Sequence, residues 1–194
     1  MLRTIGTTSV LLALGLLAGC VSADEGNLEA ASSPAVRTTA FAESEGTVDE
    51  GLYYIEFRAR SAESYGHTFA MFGRRDRSGK ILTREVAGLH PASTSDVPYV
   101  LGHLVPVPSE TGPSDGDLED RYMTARYRID LNRREYEDVV GYIRRLQASS
   151  PVWHAVLYNC STFVGKIANH MGLRAPNSLL FPKTYIETLR AMNT

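Results

Sequence analysis

Hydrophobic and polar positions divide the chain into three parts. The run from Val10 to Leu17 is apolar throughout, with Arg3 as the single positive side chain ahead of it. A run this short does not span a bilayer as a mature helix. Residues 21–50 are rich in Ala, Ser, Thr, Glu and Gly and show no apolar period. From Leu52 onward the pattern is that of a mixed domain. Leu52–Phe57, His67–Gly73 and Ile81–Ala87 read as strands, the last two joined by a polar turn over Arg74–Gly79. Val97–Val107 is apolar and carries prolines, which predicts an edge strand or an extended loop. Pro108–Asp120 is rich in acids and turn formers and predicts a surface loop, and Tyr122–Leu131 alternates like a strand. Asn132 and Glu135 fit a capping box. It opens a helix with Tyr136, Val139, Val140, Ile143 and Leu146 on one face. Val152–Leu157 is a short extended run. It leads to a second helix in which Asn159 is the N-cap, Phe163, Val164, Ile167, Ala168 and Met171 form the apolar face, and Gly172 is the stop.

Charge sharpens the boundaries. Residues 21–50 hold seven acidic residues against one basic residue, Arg37, and one aromatic residue, Phe41. Such a segment buries too little apolar surface to offset its ordering entropy, so it is expected to be a flexible tether. A chain of this length reaches roughly 30 Å. The whole chain has 20 basic and 22 acidic residues; without Arg3 and the tether, 18 basic and 15 acidic residues remain, a net of +3. That mild excess gives no sign of nucleic-acid binding. The expected organisation is a signal over 1–19, a tether over 20–50 and one α+β domain over 51–194.

Leu17-Ala18-Gly19-Cys20 resembles the lipobox of bacterial lipoproteins. The resemblance implies cleavage before Cys20 and a lipid group on its thiol, with two or three acyl chains giving stable anchoring. It implies an envelope location, facing the periplasm from the outer or inner membrane. Cys160 is then the one free thiol of the mature chain. With no partner for an internal disulfide, it is either buried and inert or kept for reactivity. Its predicted place, in the first turn of a helix, favours a thiolate through free N–H groups and their partial positive charge. The same N–H groups are candidates to hold an oxyanion.

A thiol nucleophile needs a base, and His67 is the candidate among five histidines. It opens a strand directly after Gly66, which leaves room for close approach. The base needs an orienting group on its other ring nitrogen. If the 74–79 turn closes a hairpin with Met71 opposite Ile81, His67 falls opposite Glu85. Glu85 is therefore the first choice for the third catalytic member and His90 the second, since a one-residue slip would turn Glu85 to the wrong face. Asn159, Tyr158, Ser161 and His90 are candidates for the oxyanion site or cleft wall. The histidines lack paired spacing such as His-Glu-x-x-His, so no metal site is expected, and the thiol chemistry calls for no cofactor.

Asn159-Cys160-Ser161-Thr162-Phe163-Val164, with a helix ending Met171-Gly172-Leu173, resembles the cysteine helix of the NlpC-type papain-like peptidases. His67 stands 93 positions before Cys160, the reverse of the order in those peptidases. That order is similar to the circularly permuted branch, which includes lecithin:retinol acyltransferase-like proteins. Tyr65-Gly66-His67-Thr68 and Tyr158-Asn159-Cys160-Ser161-Thr162 resemble most nearly a bacterial envelope group that includes the Lnb-type lipoprotein N-acyltransferases. The resemblance spans about residues 51–190 and is specific at these two segments; the membrane helices of the Lnb-type enzymes are not matched here. It implies a permuted papain-like fold, an antiparallel sheet packed on the cysteine helix, with Cys160 as nucleophile and His67 as base. It implies an enzyme that cleaves or transfers an acyl or peptidyl group, on peptidoglycan or on a lipid or lipoprotein; the chain itself is expected to be a monomer. The alternative is a catalytically inactive binding module of the same fold.

Overall fold

A computed structural model describes residues 52–62 and 65–194; the signal, the lipobox with Cys20 and the tether lie outside the described residues. The chain forms β1 (Tyr53–Arg60), β2 (His67–Arg75), β3 (Ile81–Gly88), β4 (His90–Pro91), α1 (Val97–Leu101), β5 (Val107–Glu110), a 3₁₀ turn (Asp120–Tyr122), β6 (Met123–Leu131), α2 (Arg133–Ala148), β7 (Val152–Trp153), α3 (Cys160–His170) and α4 (Pro182–Ala191). The fold is α+β. An antiparallel sheet runs β3-β2-β1-β6, and a small second sheet runs β4-β5-β7.

One core cluster unites the two layers. Ile55, Phe57 and Ala59 of β1, Ala70 and Phe72 of β2, and Ala87 of β3 pack with Val139, Ile143 and Leu146 of α2, Phe163, Val164 and Ile167 of α3, and Ile186 and Leu189 of α4. A smaller cluster of Tyr54, Phe69, Met71 and Val86 occupies alternate positions of the same strands. Residues 67–73 of β2 are buried in succession, and from Phe69 to Gly73 the strand carries no polar side chain. The α2 cap forms as expected: Glu135 N–H donates to the Asn132 side chain at 2.9 Å, and Asn132 N–H donates to the Glu135 carboxylate at 2.9 Å.

The β2–β3 register differs from the expected one. Met71 pairs with Val86, Phe72 with Glu85 and Phe69 with Gly88. The hairpin closes late because the Asp76 carboxylate folds the turn, accepting from the N–H groups of Ser78 and Lys80, each at 2.9 Å. Arg74 and Arg75 therefore belong to the strand, and Arg75 pairs with Asp130 at 2.8 Å. The shift is odd, so Glu85 stands on the opposite face of the sheet from His67. Glu85 pairs there with Arg144 of α2 and is not the partner of His67.

Three local expectations are also corrected. Val97–Leu101 is a helix with its proline at the start, where proline is tolerated, rather than an edge strand. Strand β5 takes the first residues of the expected 108–120 loop by pairing with β4 and β7. Beyond Trp153 the expected extended run becomes a turn closed by a bridge between His154 and Tyr158.

Candidate active site

Helix α3 starts at Cys160 because Asn159 caps it. The Asn159 side-chain oxygen accepts from Thr162 N–H at 2.9 Å and from the Thr162 hydroxyl at 3.2 Å. Its amide nitrogen donates to the carbonyls of Ala155 at 2.8 Å and Ser178 at 3.2 Å. Both ends of this buried amide are thus committed to structure, and Asn159 is not a free oxyanion donor. The cap takes Thr162 N–H, and Phe163 N–H bonds to the Asn159 carbonyl at 3.1 Å. The N–H groups of Cys160 and Ser161 are left over at the positive end of α3.

The other polar and aromatic side chains near Cys160 in the sequence are also tied down. Ser161 and Thr68 hydroxyls meet at 3.3 Å and stitch α3 to β2 beside the thiol. The Tyr158 hydroxyl meets Ser150 at 2.7 Å, and Lys166 lies 4.3 Å from the centre of the Tyr158 ring. Trp153 is buried in the core, and His170 pairs with Asp138 at 2.8 Å.

His67 and Cys160, distant in sequence, meet here. Gly66 adopts φ +78°, a left-handed conformation that favours glycine, and turns the chain into β2 so that His67 is its first residue. Burial pushes the Cys160 thiol up, but the hydrogen bond and charge of His67, then the hydroxyl and N–H of Thr68, outweigh it. The thiol pKa falls to about 7. The Nε2 of His67 has no hydrogen-bond partner among the described residues. It lies 4.0 Å from Oδ2 of Asp117 and rests on the backbone of β3, where a Cβ on Gly88 would come within 2.7 Å of it.

Asp117 is the residue that sequence reasoning missed. It is buried within the acidic 108–120 stretch, and its neighbours Asp115, Leu118 and Glu119 are exposed. Arg60 donates to its Oδ1 at 2.6 Å, and Ser114 donates to Oδ2 from its N–H at 2.8 Å and its hydroxyl at 3.0 Å. A local pattern of acids and turn formers does not tell Asp117 from its neighbours; the signal is Arg60, 57 positions away. His90 approaches His67 edge-on at 6.1 Å between ring centres. Its Nδ1 is directed to the Pro91 carbonyl at 3.1 Å, so Nδ1 carries the proton in that contact. Asp117, rather than the expected Glu85, thus has its carboxylate on the unpartnered side of His67.

Two further tyrosines feel the thiol. Burial raises the pKa of Tyr185, and the Cys160 charge adds to the rise. Burial also raises that of Tyr99, with Arg60 opposing and Cys160 and Asp117 reinforcing. Two surface concavities of about 360 and 370 Å³ are lined by Glu56, Arg126 and Arg190, and by Arg84, Glu85 and Arg144; neither includes Cys160 or His67. The chemistry lies outside both.

No family model, curated protein or solved structure matches the chain.

Proposed function

We propose that this chain is a thiol enzyme of the cell envelope that carries an acyl or peptidyl group on Cys160. The observation that carries this reading is geometric: Cys160 starts α3, His67 starts β2, and the hydroxyls of their neighbours Ser161 and Thr68 meet at 3.3 Å, which sets the imidazole by the thiol so that it draws the thiol pKa down to about 7. A merely structural buried cysteine has its pKa raised, not lowered. The order of a histidine strand before a cysteine helix, with an antiparallel sheet against that helix, supports a permuted papain-like fold.

The chemistry follows from the groups present. His67 accepts the Cys160 proton, giving a thiolate beside an imidazolium. The sulfur attacks a carbonyl carbon, and the N–H groups of Cys160 and Ser161 receive the oxyanion. Collapse breaks the bond to the leaving nitrogen or oxygen, which takes the proton from His67. Water, an amine or a hydroxyl then attacks the thioester, returns its proton to His67 and frees Cys160. Asp117 positions His67 and balances its positive charge.

Incubating the chain with peptidoglycan fragments, and separately with phospholipid, tests this by mass spectrometry of Cys160. A peptidyl or acyl mass on Cys160, absent in His67→Ala, is expected with one of the two. An unmodified Cys160 with both would give the chain to the inactive binding module instead.

A further inference from the structure

Four uncharged stretches converge around Cys160. No Lys, Arg, Asp or Glu occurs in residues 65–73, 97–109, 146–165 or 175–182. Parts of these runs are core, but each also places large apolar side chains in solvent. Tyr65, Val100, Leu104, Leu157, Leu179 and Phe181 are 60 to 79 % exposed. They come from segments that touch one another. Tyr65 stands 6.0 Å from the ring of His103 and 6.4 Å from that of Phe181. Ala155 N–H donates to the Gly102 carbonyl at 3.0 Å, and Gly102 itself packs so closely on Trp153 that a Cβ there would come within 2.3 Å of the indole. Asn159, next to the nucleophile, holds Ala155 and Ser178 together through its amide. Helix α1 buries none of its residues. The result is an apolar, uncharged rim beside the mouth of the thiol site, where an ordinary solvated surface would mix both signs of charge.

We propose that this rim is a bilayer-docking face, which lays the Cys160 site against the lipid interface. This rests on the thiol-enzyme reading above and on the lipobox at Leu17–Cys20. Three observations favour a bilayer as the occupant. The lipobox resemblance at Leu17–Cys20 implies a lipid anchor, which would hold the chain on a membrane. The domain carries a net charge of +3 over residues 51–194, which suits anionic headgroups around the apolar contact. Among the described residues no helix is long and apolar enough to cross a membrane, and the contact proposed is one with the lipid interface. The consequence for the enzyme is that substrate reaches Cys160 from the interface, where acyl groups are concentrated.

Trp153, the one tryptophan of the chain, lies beneath the rim with Tyr99 5.7 Å from its ring, and serves as a built-in reporter. The full lipidated chain is reconstituted into phosphatidylcholine–phosphatidylglycerol vesicles with and without brominated acyl chains. Trp153 fluorescence should be quenched by the brominated lipid. A Leu104→Glu/Leu157→Glu double variant should lose that quenching while still floating with the vesicles, and Leu82→Glu, exposed on β3, should keep it. Flotation without quenching in the wild type overturns the docking face and leaves the anchor. Quenching that persists in the double variant, together with loss of self-association, assigns the rim to a second copy and also overturns it. Three readouts keep the readings apart. The mass of Cys20 reports the anchor, Cys160 alkylation reports the thiol site, and quenching alone reports docking. Unmodified Cys20 or an inert Cys160 with quenching intact would remove those readings and retain the docking face.

Discussion

The imidazole of His67 presents Nε2 to Oδ2 of Asp117 at 4.0 Å, longer than a hydrogen bond but close enough for their charges to interact. Asp117 is held for this role by Arg60 and Ser114, which use both of its oxygens. Asp117→Asn keeps the shape and removes the charge opposite the imidazolium. We predict that thioester formation on Cys160 slows on the order of 100-fold, the usual scale for a misoriented base. The midpoint of Cys160 alkylation with pH should rise as well. A purely structural Asp117 would lower the melting temperature and leave that midpoint unmoved.

Cys160 should titrate near neutrality. An alkylating reagent reads the thiolate, and the thiolate fraction grows as pH passes upward through the pKa. The rate of iodoacetamide labelling should therefore rise through a midpoint of about 7. In His67→Ala the group that lowers the pKa is gone and the burial that raises it stays. The midpoint then moves up, and labelling at pH 7 falls by at least about tenfold. An unchanged profile in His67→Ala would remove His67 from the site.

Gly88 is the floor beneath the base. A Cβ there would meet Nε2 of His67 at 2.7 Å and Cβ of Phe69 at 3.1 Å. Gly88 ends the edge strand β3 but is still paired with Phe69 of β2 and buried there, which limits how far its backbone can retreat. Gly88→Ala should turn the imidazole away from the thiol, raise the alkylation midpoint and cost roughly 1–3 kcal/mol of stability, as overpacking does. Retained labelling at pH 7 would show that the ring has another place to rest.

These three residues show what a sequence does and does not display. Cys160, its Asn159 cap and the start of β2 at His67 were legible because each is local: a capping side chain, a glycine before a strand, a period of apolar positions. The partner of His67 was not local. A hairpin closed directly after Gly73 would set Glu85 opposite His67, but Asp76 closes it late, with an odd offset that turns Glu85 to the other face. Asp117 sits in a stretch whose composition is that of solvent-exposed loop, and its burial is compensated by the long-range pairing with Arg60 together with the two bonds from Ser114. The helix at Val97–Leu101 was hidden by its own apolar character, since an uncharged run with prolines carries no helical period.

Asn159 ties the nucleophile to its surroundings through four hydrogen bonds. Asn159→Ala removes the cap and strands the carbonyls of Ala155 and Ser178, and should cost about 2 kcal/mol in chemical unfolding. Asn159→Asp keeps the acceptor for Thr162 and complements the helix end, so it should recover part of that loss. It also places a negative charge beside the thiolate, and the Cys160 midpoint should rise relative to wild type. An Asp variant with full stability and an unmoved midpoint would show that the amide bonds to Ala155 and Ser178 contribute nothing.

Tyr185 carries a hydroxyl with no hydrogen-bond partner among the described residues, deep in the core against Gly165, where a Cβ would sit 2.7 Å from it. A buried hydroxyl that has left water without finding a partner destabilises the fold, by about 1–3 kcal/mol. Tyr185→Phe keeps the ring that packs with the core and removes the unpaired group. The variant should therefore be more stable than wild type by about 1 kcal/mol, a rise of roughly 2–4 °C in melting temperature for a chain of this size. The Cys160 titration should barely move, because the neutral phenol is a spectator: burial and the nearby thiolate both raise its pKa and keep its proton on. A loss of stability, or a clear shift in the Cys160 midpoint, would mean that the hydroxyl donates to a group at the thiol site, and Tyr185 would then join the residues that set the chemistry of Cys160.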